Sequence, residues 1–327
     1  LERVDNPSKA QIDEVLSGIF IRDTGYEHYY LAVKLAVERM QTGSYKSEIS
    51  PSFREELTYV GKPKSKVGGP QLVAGEPSFV EDRVLPGYHA MVLLRSPYAH
   101  AYITKIDTSE ALKMDGVVSI ITHENCPDVF YMQAGQGNPE PSPHDRRLFN
   151  RKVRHVGDRV AAIVAETEEQ ARAARDAIKV EYEVLKPVLT VEEAMEEGAP
   201  LIHNGIVEYR AGAPKDLDEY NKKADPRDGK VIYQFPLHGD IRRNIASAAH
   251  GQIGDVEKGF KDADVVVERT YQTSQIQCTP LEPHICYAKM DGGRLVLHAS
   301  TQVPYHVRRI VAWVCQIPEN KIRVIKE

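Results

Sequence analysis

The sequence predicts an α+β protein built from several units. Its 327 residues, 42% hydrophobic and 27% charged, are enough for two or three domains with separate cores. Two helical patterns open the chain, strand–helix–strand patterns follow over residues 78 to 195, and a strand, a helix and a strand close it. This succession indicates helices packed on small sheets.

The first two elements are predicted to be short helices. An Asn-Pro-Ser segment at residues 6 to 8 precedes apolar residues at helical spacing, and Gly18 follows them, so the pattern predicts a capped helix. A second helix is predicted over about residues 27 to 41, closed by Gly43. Because two short helices bury little surface by themselves, they need a partner surface.

A mixed layer domain is predicted next. Residues 61 to 77 are rich in Gly, Pro and Lys and lack periodicity, which predicts a linker. Beyond the linker, strand and helix patterns predict an α/β domain over residues 78 to 195, interrupted by a Pro- and Gly-rich excursion. Its predicted strands cover residues 89–94, 101–106, 117–122, 159–165 and 179–184, and its predicted helices cover residues 107–116 and 168–178.

The last third of the chain is predicted to be irregular before it becomes ordered. Residues 203 to 244 are polar and interrupted by Pro and Gly, which predicts long connections. A short helix over residues 256 to 260 and a strand from Val265 are predicted to follow. The final elements are a strand from Arg294, an apolar-striped helix, and a strand near Glu327. Because that strand has no closing partner, we expect the polypeptide to continue or another chain to pair with it.

Charge and hydropathy exclude several classes of protein. The net charge of −5 argues against a dedicated nucleic-acid binder. A local basic cluster is read as a solvated loop face; it consists of Arg146, Arg147, Arg151, Lys152 and Arg154. Because the chain has neither an apolar run of about 20 residues nor a signal peptide at its start, no membrane association is predicted. The four cysteines form no C-x-x-C pair, so a reducing cytoplasm is predicted.

Several site motifs are rejected on spacing. Gly135 and Gly137 are followed by Glu140 where a dinucleotide fingerprint needs a third glycine. The set Cys278, His284 and Cys286 lies in a strand-like pattern and does not have the spacing of structural zinc. His123 and Cys126 flank a turn and are not favoured as metal ligands either.

The run STQVPYHVRRIVAWVCQIPENKIRVIKE at residues 300 to 327 resembles the molybdenum-cofactor subunit of the xanthine dehydrogenase and aldehyde oxidase family. The preceding run PLEPHICYAKMDGGRLVLHASTQ extends the likeness, with Glu282 at the position of a family glutamate. Upstream, RSPYAHAYITKIDTSEALKMDGVVSIIT and HVGDRVAAIVAETEEQARAARDAIKVEYEVLKPV resemble the family's α/β hammerhead domain. The likeness covers nearly the whole chain.

The resemblance implies a domain plan. Residues 1–48 would be a relic of the four-helix 2Fe-2S domain, 49–77 a linker, 78–195 the hammerhead domain, and 196–327 a truncated start of the mixed α/β molybdopterin-binding domain. The loop GIFIRDTGY at residues 18 to 26 is similar to the family's cluster turn Cys-Arg-Cys-Thr-Gly-Tyr, but Ile21 and Asp23 occupy its two cysteine positions. A 2Fe-2S cluster needs four thiolates or, in some proteins, imidazoles, so no cluster is expected in this chain.

The resemblance also implies a chemistry. The family hydroxylates purines or aldehydes with water as the oxygen source, at a molybdenum held by a pyranopterin. Gln302, the last residue of Ser-Thr-Gln, matches the glutamine whose amide reaches an oxo ligand of the molybdenum. The family's glycine-rich Gly-Gly-Gly-Phe-Gly-Gly-Lys loop and its glutamate base would lie after Glu327, so no catalytic residue is assigned here. The isolated chain is therefore expected to be inactive and to bind little or no cofactor.

Partners and substrate follow from the same resemblance. The layout is similar to the bacterial branch described as selenium-dependent xanthine dehydrogenases, which favours purines over aldehydes. The implied partners are the rest of the molybdenum domain, an iron–sulfur subunit and, as further candidates, a flavin subunit and a second copy of the chain. A competing interpretation is a non-catalytic scaffold that docks another subunit through unpaired strand edges.

Overall fold

The structure is a computed structural model that describes residues 6–16, 28–43, 62–76, 79–83, 86–133 and 142–326. Two compact units divide the chain. One comprises Leu1–Glu81 with Val267–His284, and the other comprises Asp82–Val266 with Ile285–Glu327.

Helices and strands alternate along the described chain, which confirms the α+β class. The helices are α1 (Lys9–Leu16), α2 (His28–Thr42), α3 (Gly69–Ala74), α4 (Glu168–Ala177), α5 (Val191–Met195), α6 (Leu217–Asn221), α7 (Val256–Asp262) and α8 (Pro304–Cys315). The strands are β1 (Ala90–Arg95), β2 (Ala101–Asp107), β3 (Val117–Thr122), β4 (Lys152–Val153), β5 (Arg159–Ala165), β6 (Lys179–Val184), β7 (Ile206–Tyr209), β8 (Lys230–Tyr233), β9 (Cys286–Asp291), β10 (Arg294–Ala299) and β11 (Ile322–Lys326). Within the described ranges, none of the helices has the combined length and hydrophobicity of a bilayer-spanning segment.

The predicted helix pair is present as α1 and α2. Ser8 caps α1 reciprocally, because its amide donates to Gln11 Oε1 at 2.8 Å while the Gln11 amide donates to Ser8 Oγ at 3.4 Å. Ile12 is the buried residue of α1. Gly43 follows α2 with a φ of 72°, in the left-handed region that ends helices. Local capping chemistry therefore sets the start of α1 and the end of α2.

The predicted linker contains one helix that its composition did not indicate. α3 lies between Gly68 and Gly75, whose φ values are 74° and 72°. A Gly-Pro start and a glycine stop suffice for a single short helix, which is too brief to produce a detectable period.

Two three-stranded antiparallel sheets, β1-β5-β3 and β4-β2-β6, form the α/β layer domain at the predicted positions. α4 begins with a capping box between Thr167 and Gln170 and buries Ala171 and Ala174. The core of the domain consists of Ala101, Ile103, Ile106, Ala111, Ile120, Val153, Val160, Ala161, Ile163, Ala165, Ala171, Ala174 and Ile178. The buried run of β5 explains its nearly continuous apolar sequence.

The helix predicted over residues 107 to 116 is wrong. Only a single 3₁₀ turn, Ala111–Lys113, forms there. The Asp107 carboxylate accepts a hydrogen bond from the Ser109 amide at 3.0 Å, and the Ala111 side chain is fully buried. Because the connection must bury Ala111 and start β3 a few residues later, it has no room for a longer helix.

The prediction of irregular connections over residues 203 to 244 is also wrong in part. β7 and β8 pair in parallel there, and α6 packs beside them. Val207, Val231 and Tyr233 form a separate buried cluster. Each of the two strands has four residues, so neither is long enough to show alternation above its polar surroundings.

The strand predicted from Val265 does not form among the described residues. α7 is present and slightly longer than predicted, but residues 264 to 285 form neither helix nor strand. Val265 and Tyr271 are 77% and 88% exposed. A strand needs a hydrogen-bonded neighbour, and a β-rich sequence cannot supply one by itself.

The last sheet has the order β11-β10-β9. β10 pairs antiparallel with β9 and parallel with β11, and α8 connects the parallel pair. α8 packs on these strands through a cluster whose buried members are Leu297, Ala312 and Ile322. The β10–α8–β11 unit confirms the strand, helix and strand predicted at the end of the sequence.

Candidate functional site

Gln302 lies in the turn that joins β10 to α8. β10 is the central strand of its sheet, and the turn leaves its carboxyl end. In open α/β sheets the carboxyl ends of parallel strands are where ligands bind, since the connecting turns expose polar groups there. The structure therefore places the predicted cofactor-contacting residue at a position suited to ligand binding.

Two hydrogen bonds hold the turn around Gln302. The Ser300 amide donates to the Ile285 carbonyl at 3.2 Å, and the Val303 amide donates to Thr301 Oγ1 at 3.1 Å. Gln302 itself is exposed, and its side-chain amide makes no hydrogen bond within the described part of the chain. An ordered turn thus presents an amide whose donors remain available.

α8 is held at both ends after this turn. Pro304 occupies its first turn, where a missing N–H costs nothing. Gln316 closes it in the left-handed conformation, with φ at 54°, and the Ile317 amide donates to the Ala312 carbonyl at 3.1 Å. Arg308 on α8 reaches Glu319 at 3.5 Å. These bonds fix where the helix begins and ends.

A second contact holds α8 on another side. Trp313 meets the His144 ring edge to face, with the ring centroids 5.4 Å apart and the planes at 83°. His144 is buried and bridges to Ile232 of β8, whose amide donates to the His144 carbonyl at 2.9 Å and whose carbonyl accepts from the His144 amide at 2.8 Å. α8 therefore contacts its own sheet on one side and the segment that contains His144 on another.

The predicted basic cluster is not a uniformly solvated face. Lys152 and Asp228 have side chains only 1% exposed, with Lys152 Nζ 3.2 Å from Asp228 Oδ2. Arg154 pairs with the other oxygen of Asp228, and Lys152 also donates to the Leu201 carbonyl at 3.0 Å. Burial lowers the pKa of Lys152 and the Asp228 carboxylate opposes that shift. The prediction of a solvated loop face is wrong for Lys152 and Arg154. Both side chains form ion pairs with Asp228, which is distant in sequence and buried.

Metal-ligand chemistry is sparse in the described residues. Across residues 6–16, 28–43, 62–76, 79–83, 86–133 and 142–326, His, Cys, Asp and Glu form no group of three or more arranged to hold a metal ion. Cys278 and Cys286 are exposed, and Cys126 is buried. Glu282 accepts a hydrogen bond from the Val80 amide at 3.1 Å, a structural role within its own unit. The loop at residues 18 to 26, with Ile21 and Asp23, lies outside the described residues.

Sequence reasoning missed two buried polar residues, His144 and Asp228. His144 and Asp228 both lie in segments rich in Pro, Gly and charge, which predict loops. A histidine or aspartate inside such a segment has no period that reveals burial. The only available signal was the single tryptophan, since Trp usually packs against a partner.

Four histidines make the stability of the fold depend on pH. Burial lowers the pKa values of His100, His123, His144 and His203, the last to about 3. Because the folded-state values lie below the unfolded value near 6.5, the stabilisation is complete above pH 6.5 and is lost as the pH falls toward the folded-state values. We expect the free energy of unfolding to decrease between pH 7 and pH 5.

His203→Asn tests this expectation. Removing His203, whose side chain is 23% exposed and lies 3.5 Å from Asp145, should reduce the slope of unfolding free energy against pH by up to about 1.4 kcal/mol per pH unit below pH 6. Urea unfolding at several pH values between 5 and 7 measures the slope. The control is His155→Asn, which changes a largely exposed ring and should leave the slope unaltered. Equal slopes in wild type and His203→Asn would contradict the expectation.

Two sequence families match the chain. Residues 74 to 186 match "Aldehyde oxidase and xanthine dehydrogenase, a/b hammerhead domain", and residues 237 to 327 match "Molybdopterin cofactor-binding domain". The first match covers the two antiparallel sheets with α4, and the second covers the β10–α8–β11 unit that contains Gln302.

Curated relatives extend the likeness. Over all 327 residues the chain is 50% identical to the probable hypoxanthine oxidase XdhD of Escherichia coli (strain K12), covering 34% of that protein. It is 31% identical over 259 residues, 78% of the chain, to the putative xanthine dehydrogenase molybdenum-binding subunit XdhA of the same strain, covering 30% of that subunit. The chain thus spans about a third of the length of these relatives.

Solved structures agree with this assignment. The aldehyde oxidoreductase from Desulfovibrio desulfuricans ATCC 27774 shares the fold over the whole chain and 33% of its own length, with a TM-score of 0.61 and 22% identity. The reconstituted CO dehydrogenase from Oligotropha carboxidovorans matches 80% of the chain and 30% of its own length, with a TM-score of 0.58 and 27% identity. The chain belongs to the xanthine dehydrogenase and aldehyde oxidase family of molybdenum-cofactor proteins, of which it carries the hammerhead domain and the start of the molybdopterin-binding domain.

Proposed function

We propose that the chain is part of a molybdenum hydroxylase that oxidises purines with water as the oxygen source. The observation that carries the proposal is Gln302, whose exposed amide has no partner in the described residues and lies at the carboxyl end of β10. The purine class is supported by the 50% identity to a protein described as a probable hypoxanthine oxidase.

Gln302 fits the role of contacting the cofactor. When bound, the molybdenum and its pyranopterin supply the redox chemistry of the hydroxylation. The Gln302 amide would donate a hydrogen bond to an oxygen ligand of the molybdenum, and an uncharged donor adds no net charge beside the metal. The hydrogen bond from the Val303 amide to Thr301 Oγ1 fixes the backbone on both sides of Gln302, so the side chain starts from a defined position.

The proposal assigns the remaining chemistry to residues outside this sequence. The sequence offers no cysteine before Cys126, so the loop with Ile21 and Asp23 has no thiolates for a 2Fe-2S cluster, and we propose that it is a relic retained for packing. An iron–sulfur partner would then carry electrons away, with a flavin subunit as a further acceptor. We propose residues 1–48, 49–77, 78–195 and 196–327 as the domain boundaries.

Metal analysis and turnover on two preparations test the proposal. The 327-residue chain alone should contain neither iron nor molybdenum in stoichiometric amount and should not oxidise xanthine or hypoxanthine. The protein purified with the remaining molybdenum domain should contain molybdenum and oxidise a purine faster than an aldehyde. Two irons per chain or full turnover in the lone chain would refute the proposal that the remaining chemistry lies outside this sequence. Faster oxidation of an aldehyde than of a purine would make aldehydes the favoured substrate class.

A scaffold remains the second candidate, and one observation favours it. β9 and β11 are the outer strands of their sheet, and their outer edges pair with no other strand in the described ranges. Such edges can dock another polypeptide. Co-purification distinguishes the two functions. A partner that carries the glycine-rich Gly-Gly-Gly-Phe-Gly-Gly-Lys loop supports the hydroxylase, whereas an unrelated partner, with no molybdenum in the complex, supports the scaffold.

A further inference from the structure

We propose that His144 is a positioning residue for Gln302 and acts through Trp313 and α8. The proposal deepens the function proposed above, since it rests on Gln302 contacting the cofactor. His144 belongs to the Pro- and Gly-rich excursion at residues 133 to 147, far from Gln302 in sequence. The two residues are connected by a chain of rigid contacts within one compact unit.

The first step is that His144 itself is fixed. Its side chain is 4% exposed, and its backbone is bonded to Ile232 in both directions. The Gln234 side-chain nitrogen lies 3.3 Å from His144 Nε2, where an amide N–H would donate to a neutral imidazole. Burial lowers the pKa of His144, which keeps that neutral form. The ring therefore has one orientation, set by β8 and the residue that follows it.

The second step is that this fixed ring contacts α8 away from the helix's own sheet. Ala312 faces the sheet and is buried, whereas its neighbour Trp313 is 53% exposed and meets the His144 ring in a T-shaped contact. Adjacent residues of a helix point about 100° apart, so these two contacts restrain the helix from different directions. With the sheet contact alone, α8 could rotate about its axis or tilt.

The third step connects α8 to Gln302. The helix runs without a break from Trp313 back to Pro304, and the Val307 amide donates to the Val303 carbonyl at 3.1 Å. Val303 in turn donates to Thr301 Oγ1, so the residues on both sides of Gln302 are bonded to one turn. A tilt of α8 would therefore displace the Gln302 amide, and a displacement of about 1 Å is enough to weaken catalysis.

Hydrogen exchange measured on the cofactor-free protein tests the connection without molybdenum. In Trp313→Ala we expect the hydrogen-bonded amides within residues 303 to 308, those of Val303, Val307 and Arg308, to exchange about two- to tenfold faster. This factor corresponds to the free energy of one aromatic pair, and the amides of β10 and β11 should be unchanged. Trp313→Phe keeps an aromatic ring beside His144 and should restore most of the protection. Because Trp313 is half-exposed, truncating it should leave the fold intact.

Phe260→Ala is the matched control, since it removes a 61% exposed aromatic side chain from α7. This variant should leave exchange at residues 303 to 308 unchanged. Unchanged exchange in Trp313→Ala, or an equal rise throughout β10 and β11, would overturn the inference. Acrylamide quenching of the single tryptophan gives a second readout: His144→Ala should raise the quenching constant, and His144→Phe should raise it less.

The outcomes separate this inference from the proposed function. The exchange and quenching experiments do not depend on the cofactor, so they report the contact alone. In the assembled enzyme, Trp313→Ala should lower kcat with little change in KM, because it displaces a donor and removes no substrate contact. If Gln302→Ala retains full activity, the proposed function fails while the exchange result stands.

Discussion

Gln302→Ala is expected to lower the purine oxidation rate of the assembled, molybdenum-loaded enzyme by about 10²- to 10³-fold, the cost of removing one preorganised donor from a charged centre. The side chain is exposed and unbonded within the described chain, so its removal should not change the free energy of unfolding. The measurement is steady-state turnover of hypoxanthine or xanthine per bound molybdenum. Normalising to metal separates lost chemistry from lost cofactor.

Two variants sharpen this experiment. Gln302→Glu keeps the shape but replaces the amide donor with a carboxylate, so its rate should fall at least as far as that of Gln302→Ala. Gln71→Ala, which removes an exposed glutamine from α3, should behave as wild type. A Gln302→Ala enzyme within threefold of wild type would show that the amide plays no part in the reaction.

Asp228→Asn should produce the largest loss of stability, about 3 to 5 kcal/mol in the free energy of unfolding. The substitution leaves Lys152 and Arg154 without their carboxylate, and Lys152 is only 1% exposed. Desolvated cations that lack a counter-charge are costly because the interior cannot solvate them. Denaturant unfolding at pH 7 measures the change.

Asp225→Asn, three residues earlier in the sequence, is the control for Asp228→Asn. Asp225 pairs with Arg227 at 2.7 Å nearer the surface, and asparagine there can still cap the following turn, so Asp225→Asn should cost about 1 kcal/mol or less. The double variant Asp228→Asn with Lys152→Met should recover part of the lost stability, since it removes one unpaired cation. Equal losses in Asp228→Asn and Asp225→Asn would contradict the role assigned to the buried cluster.

The predicted helices and strands that formed are those whose sequence pattern depends only on residues near one another in the chain. α4 has its Thr167 cap and alanine stripe, β5 has an unbroken apolar run, and α8 has a proline start. Each of these features acts within a few residues, so a linear pattern contains it. The resemblance to the family likewise located the β10–α8–β11 unit and Gln302 without coordinates.

The predictions that failed are those that depend on neighbours from elsewhere in the chain. The helix at residues 107 to 116 shortened to a turn because Ala111 had to reach the core, and the strand from Val265 has no paired neighbour among the described residues. β7 and β8 gained order because they pair with each other across more than twenty residues. Pattern reasoning cannot evaluate such pairings, since their free energy belongs to two distant segments.

The sequence by itself determined the fold class, the boundaries of locally capped helices such as α4, and the position of Gln302 between a strand and a helix. Only the tertiary structure decided that Asp228 draws Lys152 and Arg154 into the interior and that His144 meets Trp313. The physical reason is the distance along the sequence over which each kind of interaction acts. Capping and periodicity act over one or two helical turns, whereas burial of a charge or a ring depends on which distant surfaces the folded chain brings into contact.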